Sequence, residues 1–278
     1  MKSIKLNSGV QMPLLGFGTY QITEPSECKQ TVKNALNVGY RLIDTAAAYG
    51  NEAYVGQAIK ESSVKRDEVF LTTKLWFNDF ENPELALENS LKKLGVDYID
   101  LVLLHWPYGN TYKAYRALET AFQKGFVRAI GVSNYAGSQL IDLIHFNKIV
   151  PAVNQIETNL LSQQQQMHEL MAQYGVQHQG YAPFGQGQMN SMFNNKILVE
   201  IADQYNKTTH QIALKFFVQQ GIAVIPKSIH LDRMKDNLNI DDFTLTQQEI
   251  TSLKTLDTNI PLIGNPQSMD KTKAAMQW

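Results

Sequence analysis

The alternation of short apolar runs with amphipathic segments is the feature that most constrains this fold. Eight runs follow one another at spacings of mostly about 25 to 35 residues, roughly the length of one strand-plus-helix unit. The segments between them, such as residues 83–94 and 115–124, place apolar residues at helical spacing. The pattern therefore predicts strands at residues 14–17, 41–44, 69–74, 99–105, 127–134, 152–157, 176–181 and 223–227.

Eight such units in a chain of 278 residues predict an α/β fold, the (β/α)₈ TIM barrel. An open doubly wound sheet with one miscounted strand is the alternative that the pattern leaves open. No Pro-, Gly- or Ser-rich linker divides the sequence, so we expect a single domain over residues 1–278. The interval between residues 181 and 223 is longer than the others and predicts an additional loop and helix.

Local signals refine this outline at the N-terminus and at two helix starts. Residues 4–6 and 10–12 flank the turn sequence Asn7-Ser8-Gly9, which predicts a β-hairpin that closes the bottom of the barrel. In a capping box, a hydroxyl and a glutamine three residues later each bond the other's backbone. Two segments fit that pattern: Ser162-x-x-Gln165 and Thr208-x-x-Gln211.

Charge and cysteine content argue against several classes of function. Lys and Arg total 25 and Asp and Glu total 26, so no basic excess indicates a nucleic-acid partner. The single cysteine, Cys28, precludes an internal disulfide and argues against a cysteine-based metal cluster. Neither a signal peptide nor a run of membrane-spanning length is present in the sequence. We therefore expect a cytoplasmic protein without a membrane partner.

Polar side chains mark the ends of seven of the predicted strands. All strand ends of a (β/α)₈ barrel share one rim, and active sites of such barrels lie on it. Seven polar ends on one rim are hard to explain by packing alone. They are Asp44, Lys74, His105, Ser133-Asn134, Asn154-Gln155 with Glu157, Tyr181 and Lys227-Ser228.

Four residues near that rim have the chemistry of proton transfer to a carbonyl group. Tyr49 has an ordinary pKa of about 10, and a neighbouring Lys74 held by Asp44 would lower that pKa by favouring the phenolate. His105 could orient or polarise a carbonyl through a ring N–H. Each residue alone has a plainer explanation as an ion pair or a hydrogen-bonded rim residue, and only the set favours catalysis.

Competing chemistries lack their motifs. The six histidines show no His-x-x-x-His pair near an acidic partner, so we expect no metal site. Residues 131–135 come closest to a Gly-x-Ser-x-Gly elbow but lack the second glycine. A P-loop is absent, and residues 16–18 do not extend to Gly-x-Gly-x-x-Gly. Any dinucleotide must therefore bind without a Rossmann turn.

Taken together, these motifs resemble the aldo-keto reductase family over nearly the whole chain. The compact form and the His-Trp-Pro motif resemble bacterial members of the diketogluconate reductase and glyoxal reductase type. The motifs that carry the resemblance are Gly16-Phe17-Gly18-Thr19, residues 39–46, Tyr49-Gly50-Asn51-Glu52, Lys74-Leu75-Trp76, Leu103-Leu104-His105-Trp106-Pro107, Gly131-Val132-Ser133-Asn134, Asn154-Gln155-Ile156-Glu157 and Ile225-Pro226-Lys227-Ser228.

The resemblance implies an NADPH-dependent reductase that converts aldehydes and activated ketones to alcohols by direct hydride transfer. Tyr49 would be the general acid, Lys74 and Asp44 would tune its pKa, and His105 would orient the substrate carbonyl. Aromatic side chains would wall the pocket, although rim packing explains Trp106 nearly as well. The implied substrate contacts are Tyr20, Tyr49, Trp76, His105 and Trp106.

The resemblance also implies the cofactor contacts. Two cations, Lys227 and Arg233, would meet the 2′-phosphate, which favours NADPH over NADH. Tyr181 would stack on the nicotinamide ring, and Asn237 would contact the adenine. Without the family, residues 231–239 read as an ordinary polar helix. The implied set is Gly18, Thr19, Asp44, Ser133, Asn134 and Gln155 (the last three holding the carboxamide), Tyr181, Pro183, Phe184, Gly185, Lys227, Ser228, Arg233 and Asn237.

Two departures from the family bear on the cofactor loop and on the substrate pocket, respectively. Residues 180–185 lack the serine and leucine that commonly follow the aromatic and the proline, and the segment after Ile260 is short, which favours an open pocket. Methylglyoxal-like aldehydes, sugar-derived ketones and xenobiotic carbonyls all fit. We expect a monomer. The alternatives are a cofactor-binding sensor, similar to the tetrameric β subunits of potassium channels, and a barrel isomerase or lyase.

Overall fold

The computed structural model describes residues 2–188, 191–263 and 265–277. Eight parallel strands form one sheet in which each strand pairs with the next along the chain. The hairpin strands are β1 (Ser3–Lys5) and β2 (Gln11–Pro13), and the barrel strands are β3 (Phe17–Gly18), β4 (Leu42–Asp44), β5 (Phe70–Leu75), β6 (Leu101–Leu104), β7 (Ile130–Ser133), β8 (Val153–Glu157), β9 (Gln177–Tyr181) and β10 (Ala223–Val224).

The sheet closes on itself between its first and last strands. Leu15 forms a parallel bridge with Val224, and the Gly16 N–H donates to the Val224 carbonyl at 2.8 Å. A Cβ at Gly16 would lie 2.3 Å from Leu42 Cδ2, so a larger residue here would displace the buried Leu42 side chain. The predicted (β/α)₈ barrel is therefore confirmed.

Helices follow the barrel strands in alternation. Both α7 and α8 lie between β9 and β10, which confirms the additional helix predicted there. No helix in the described ranges is long and apolar enough to cross a membrane. The α-helices are α1 (Pro25–Val38), α2 (Glu52–Glu61), α3 (Pro83–Leu94), α4 (Thr111–Gln123), α5 (Gly137–Phe146), α6 (Gln165–Gln173), α7 (Lys196–Tyr205), α8 (Thr209–Gln219), α9 (Leu231–Leu238), α10 (Gln247–Lys254) and α11 (Met269–Ala275).

Capping explains where several helices begin. The predicted box at α8 is confirmed, since Gln211 N donates to the Thr208 hydroxyl at 3.2 Å and Thr208 N donates to Gln211 Oε1 at 2.8 Å. The helix predicted at residues 115–124 begins earlier, at Thr111, because the Asn110 side chain caps it.

The other predicted capping box, at Ser162, is wrong. Gln164 takes up a left-handed backbone conformation with φ of 58°, which no helix can include. Helix α6 therefore starts at Gln165, and no side chain caps it. A sequence match to the box pattern did not reveal this backbone turn.

The N-terminal hairpin lies against the bottom of the barrel, as predicted. Met12 is fully buried there. The Asn7 side-chain amide donates to the carbonyls of Pro151, at 3.1 Å, and Gly175, at 3.3 Å, which lie just before β8 and β9. Because the hairpin covers the N-terminal ends of the strands, the opposite rim is left for a site.

Candidate active site

A cavity of about 870 Å³ opens at the rim formed by the carboxyl ends of the barrel strands. It brings together most of the side chains that the sequence singled out. The predicted residues that line it are Gly18, Tyr20, Asp44, Tyr49, Trp76, His105, Trp106, Ser133, Asn134, Gln155, Tyr181, Pro183, Phe184 and Lys227.

Lys74 lies at the closed end of this cavity and is fully buried in β5. Its Nζ donates to Asp44 Oδ1 at 2.5 Å, to the Thr45 carbonyl at 2.9 Å and to the Tyr49 hydroxyl at 3.4 Å. These three acceptors satisfy the three N–H donors of the ammonium. Burial lowers the pKa of Lys74, because the cost of desolvating the ammonium exceeds the attraction of Asp44.

The second carboxylate oxygen of Asp44 is held from across the barrel. Gln155 Nε2 donates to Asp44 Oδ2 at 2.7 Å and to Gln179 Oε1 at 2.8 Å. Both N–H bonds of the Gln155 amide are then used, and none of the described residues donates to its Oε1. That oxygen is therefore placed to accept a hydrogen bond from a ligand. No sequence motif revealed Gln179 or this link across the barrel.

The Tyr49 hydroxyl does not have the lowered pKa that the sequence predicted. Burial raises the pKa of Tyr49 well above its usual value, and the negative charge of Asp44 raises it further. Lys74 cannot offset this, since its closest contact is with Asp44 and not with the phenol. The phenol consequently stays protonated at neutral pH, as a proton donor must.

His105, directly after β6, is a neutral imidazole. Burial and the charge of Lys74 hold its pKa well below the usual value. Its ring lies edge-on to Tyr49 and to Trp76, with centroids 5.6 and 5.2 Å apart. Nδ1 is buried without a hydrogen-bond partner among the described residues, which leaves Nε2 to contact a ligand. A neutral imidazole can donate a hydrogen bond to a carbonyl oxygen.

A cluster of polar side chains follows β7 and β9. Asn134 has a φ of 64°, and its amide donates to the His105 carbonyl at 3.0 Å. The Tyr181 hydroxyl donates to Asn134 Oδ1 at 2.8 Å, and the Ser133 hydroxyl donates to the Gln155 carbonyl at 2.8 Å. These bonds fix the amide and hydroxyl groups in place, and a primary carboxamide is a group of matching chemistry.

The far end of the cavity is positively charged and exposed to solvent. Lys227 lies on the surface just after β10, and Arg233 lies on the surface of α9. Helix α9 begins at Leu231 without a side-chain cap, so its first N–H groups can meet an anion. The Ser228 hydroxyl accepts from His230 N at 3.0 Å in the turn between them.

Five residues of the predicted cofactor set do not line the cavity. Thr19 is fully buried, and its hydroxyl donates to the Asp44 carbonyl at 3.0 Å, so its side chain bonds the backbone at the end of β4. Asn237 is buried, and its side chain hydrogen-bonds the Tyr40 phenol. The five are Thr19, Gly185, Ser228, Arg233 and Asn237.

The C-terminal segment adds residues to the cavity that the sequence did not reveal. The Glu157 carboxylate at the end of β8 accepts from the backbone N–H groups of Leu262, at 2.6 Å, and Ile263, at 3.0 Å. The Tyr108 hydroxyl donates to the Pro266 carbonyl at 2.9 Å. Ile263 and Lys271 of this segment line the cavity.

Other lining residues were also not predicted from the sequence. They are Gln21, Ala47, Ala48, Asp79, Lys93, Ala182, Gln186 and Ile225.

Comparison with known proteins agrees with this geometry. The model of the Aldo/keto reductase family matches residues 14–258. The chain belongs to this family. It is 42% identical over 267 residues to methylglyoxal reductase DkgA of Yersinia pestis, with 95% of this chain and 96% of the relative covered. It is 39% identical over 270 residues to glyoxal reductase of Bacillus subtilis, with 96% and 97% covered.

A solved relative shows the same fold with a nucleotide bound. The crystal structure of a Bombyx mori aldo-keto reductase in complex with NADP matches with a TM-score of 0.91 at 33% identity. The match covers 98% of this chain and 96% of that one. Membership of the family makes this chain an NADPH-dependent oxidoreductase that reduces carbonyl groups, as the resemblance implied.

The described residues of this aldo/keto reductase fit such a cofactor. The unused Oε1 of Gln155 suits the N–H of a carboxamide at the closed end of the cavity. The exposed ammonium of Lys227 suits a phosphate at the open end. Gly18 lines the cavity, and a Cβ there would lie only 3.0 Å from the Ile225 carbonyl oxygen.

Proposed function

We propose that this aldo/keto reductase reduces small aldehydes and activated ketones to alcohols, with Tyr49 as the general acid. Methylglyoxal-like aldehydes and keto sugar acids are the substrates we expect, and the names of the similar methylglyoxal and glyoxal reductases support the first of these classes. The observation that carries the proposal is the placement of the Tyr49 hydroxyl. It faces the cavity, 3.4 Å from the ammonium of a fully buried Asp44–Lys74 pair.

The mechanism follows from the charges at the closed end of the cavity. Bound NADPH supplies the hydride that adds to the carbonyl carbon. Tyr49 donates its phenolic proton to the carbonyl oxygen as negative charge develops there. Lys74 then stabilises the phenolate, and Asp44 keeps the ammonium in position. Neutral His105 donates a hydrogen bond to the same oxygen and so aligns the carbonyl.

The remaining assignments concern binding. We assign Gln155, Asn134 and Ser133 to the nicotinamide carboxamide and Tyr181 to the nicotinamide ring. Lys227, with Ser228 and Arg233, is assigned to the 2′-phosphate. The support is the row of hydrogen-bonded amides and hydroxyls at one end of the cavity and the exposed cations at the other.

We further propose that the chain works as a monomer, as a single domain over residues 1–278 in the cytoplasm. One barrel contributes every residue assigned to catalysis, so no second copy is needed to complete the site.

NADPH oxidation in the presence of methylglyoxal, glyoxal, 4-nitrobenzaldehyde and a diketo sugar acid tests the proposal. Replacing Tyr49 by Phe removes the proton donor and leaves the ring, so kcat should fall by about 10²- to 10⁴-fold. NADPH should still bind, as measured by quenching of tryptophan fluorescence.

Tyr174→Phe is the matched control, since this tyrosine ends α6 away from the cavity and its variant should keep wild-type turnover. A Tyr49→Phe enzyme with most of its activity would rule out Tyr49 as the acid. If wild type binds NADPH and reduces none of the carbonyls, a cofactor-binding sensor becomes the better description.

A further inference from the structure

A buried hydrogen bond ties the turn that carries Tyr49 to the outer face of β5. Tyr49 ends a short 3₁₀ turn, Ala47–Tyr49, and α2 begins three residues later at Glu52. The Thr73 hydroxyl donates to Glu52 Oε1 at 2.7 Å, and both side chains are buried. Neither residue is among those that line the cavity, so the bond lies outside the site described above.

The next residue of β5 contacts the same turn from the other face of the strand. Lys74 follows Thr73, and successive side chains of a strand point to opposite faces. The Lys74 ammonium lies inside the barrel, 3.4 Å from the Tyr49 hydroxyl, whereas Thr73 faces α2. Two side chains that are adjacent in sequence therefore hold the turn on both faces of β5.

The chain between Tyr49 and Glu52 has little room to move. Only two residues separate them, and the second, Asn51, is fully buried. The Asn51 amide donates to the carbonyls of Thr19, at 3.0 Å, and Ile22, at 3.1 Å. We therefore expect a displacement of Glu52 to displace the Tyr49 phenol as well.

Stability alone does not explain the burial of the Glu52 carboxylate. Its second oxygen, Oε2, has no hydrogen-bond partner among the described residues and lies 3.9 Å from the ammonium of exposed Lys93. A buried carboxylate with one oxygen unbonded costs free energy. The start of a helix favours a carboxylate, but it does so at exposed positions too. The short bond from Thr73 is the contact that requires Glu52 to be buried.

We propose that the hydrogen bond between Thr73 and Glu52 positions Tyr49 for proton transfer, which makes Thr73 and Glu52 positioning residues for the reduction. This inference rests on the function proposed above. The stabilisation of the phenolate by Lys74 depends on the distance between the two groups, which is 3.4 Å in the structure. A phenol farther from Lys74 transfers its proton more slowly, although NADPH and the carbonyl compound still bind.

The test removes the bond from either side and restores it. Thr73→Val keeps the shape of the side chain and deletes the donor, whereas Thr73→Ser keeps the donor. Glu52→Met deletes the acceptor without leaving a buried charge, whereas Glu52→Gln keeps an acceptor and removes only the charge. Thr72→Val is the matched control, because Thr72 is equally buried in β5 and its hydroxyl has no hydrogen-bond partner among the described residues.

With 4-nitrobenzaldehyde, Thr73→Val and Glu52→Met should each lower kcat by about tenfold to a hundredfold, because a small displacement of a catalytic group has an effect of that size. Single-turnover oxidation of bound NADPH should slow equally. Thr73→Ser, Glu52→Gln and Thr72→Val should keep kcat within about threefold of wild type, and all variants should keep Kd for NADPH within about twofold. Fluorescence titration with NADPH also counts binding sites per chain, which separates a slow enzyme from an unfolded fraction.

Three results would overturn the inference. One is wild-type kcat in Thr73→Val or, if that variant does not fold, in Glu52→Met. Another is an equal loss of kcat in Thr73→Ser and Glu52→Gln, which keep the bond. The third is a loss of kcat in proportion to lost NADPH sites, which indicates a purely structural role. Failure of the proposed function looks different, since wild type would then leave NADPH unoxidised even with 4-nitrobenzaldehyde.

Discussion

The charged side chains at the two ends of the cavity differ in burial. At the closed end, Lys74 and Asp44 are fully buried, and each polar atom has a short hydrogen bond. At the open end, Lys227 is exposed to water, as is Arg233 of α9 outside the cavity lining. Charges that act on a proton in transit are strongest when they are dry and fixed. Charges that capture an anionic ligand from solution act at longer range and gain little from burial.

The buried and the exposed charges should also differ in whether they affect the stability of the fold or the binding of ligands. A buried ion pair rarely stabilises a fold more than apolar residues would, because desolvation of both charges offsets their attraction. Removing one partner is nevertheless costly, since the other charge remains buried without compensation. An exposed cation has no such dependent partner. Substitutions at the closed end should therefore lower the free energy of unfolding, and substitutions at the open end should weaken ligand binding.

The largest effect is expected at the buried pair. Lys74→Met leaves Asp44 buried and unpaired, so the free energy of unfolding in urea should fall by about 3–5 kcal/mol, and turnover should be lost. The double variant Asp44→Leu with Lys74→Met should regain most of that stability and none of the activity. Lys92→Met, on the exposed face of α3, is the control and should match wild type in both assays.

Equal stability of Lys74→Met and wild type would show that the pair is not held as described. An active double variant would show that the pair does not serve catalysis, and the contrast between the two ends would then disappear.

A smaller effect is expected at the open end, and it should touch binding alone. Lys227→Met and Arg233→Met should each raise KM for NADPH by about tenfold to a hundredfold, because each removes a charge-assisted bond to the 2′-phosphate. KM for NADH and kcat should hardly change, and unfolding free energies should stay within about 0.5 kcal/mol of wild type. Lys235→Met, exposed on the same helix, is the control. An equal rise in KM for NADH, which lacks the 2′-phosphate, would show that these cations do not act through that phosphate.

The smallest effect concerns pH. The raised pKa of Tyr49 keeps the phenol protonated toward alkaline pH, and the lowered pKa of His105 keeps the imidazole neutral toward acidic pH. With saturating NADPH and substrate, kcat for reduction should vary less than about twofold between about pH 6 and 9. KM for NADPH should rise below about pH 6, where a phosphate monoester loses its second charge. A kcat profile that bends near the usual pKa of histidine would contradict the burial of His105.

Much of this architecture was readable from periodicity, since each of the eight predicted runs overlaps a barrel strand. The first and last strands are nevertheless shorter than predicted, covering only Phe17–Gly18 and Ala223–Val224. Their flanking residues close the barrel by an isolated bridge and loop hydrogen bonds instead of a full ladder. Periodicity predicts that a strand is present, and the partner strand decides its length.

The candidate site was predictable where its residues end strands, and not where contacts cross the barrel. Asp44 is the last residue of β4 and Lys74 the next to last of the neighbouring β5, so their pairing follows from the fold. Gln155 reaches Asp44 from 111 positions away, and no local pattern announces such a contact. The direction of the Tyr49 pKa was also missed, because it depends on burial, which a sequence motif does not measure.

The seam between Gly16 and Val224 sets an order of events during synthesis. The four residues assigned to catalysis all lie before position 106, so they leave the ribosome early. Until β10, the eighth strand of the barrel, emerges, the β3 edge of the nascent sheet lacks its partner and can pair with a wrong strand. The groups for the chemistry are thus made in the first half of translation, and they become a working enzyme only when the last strand arrives.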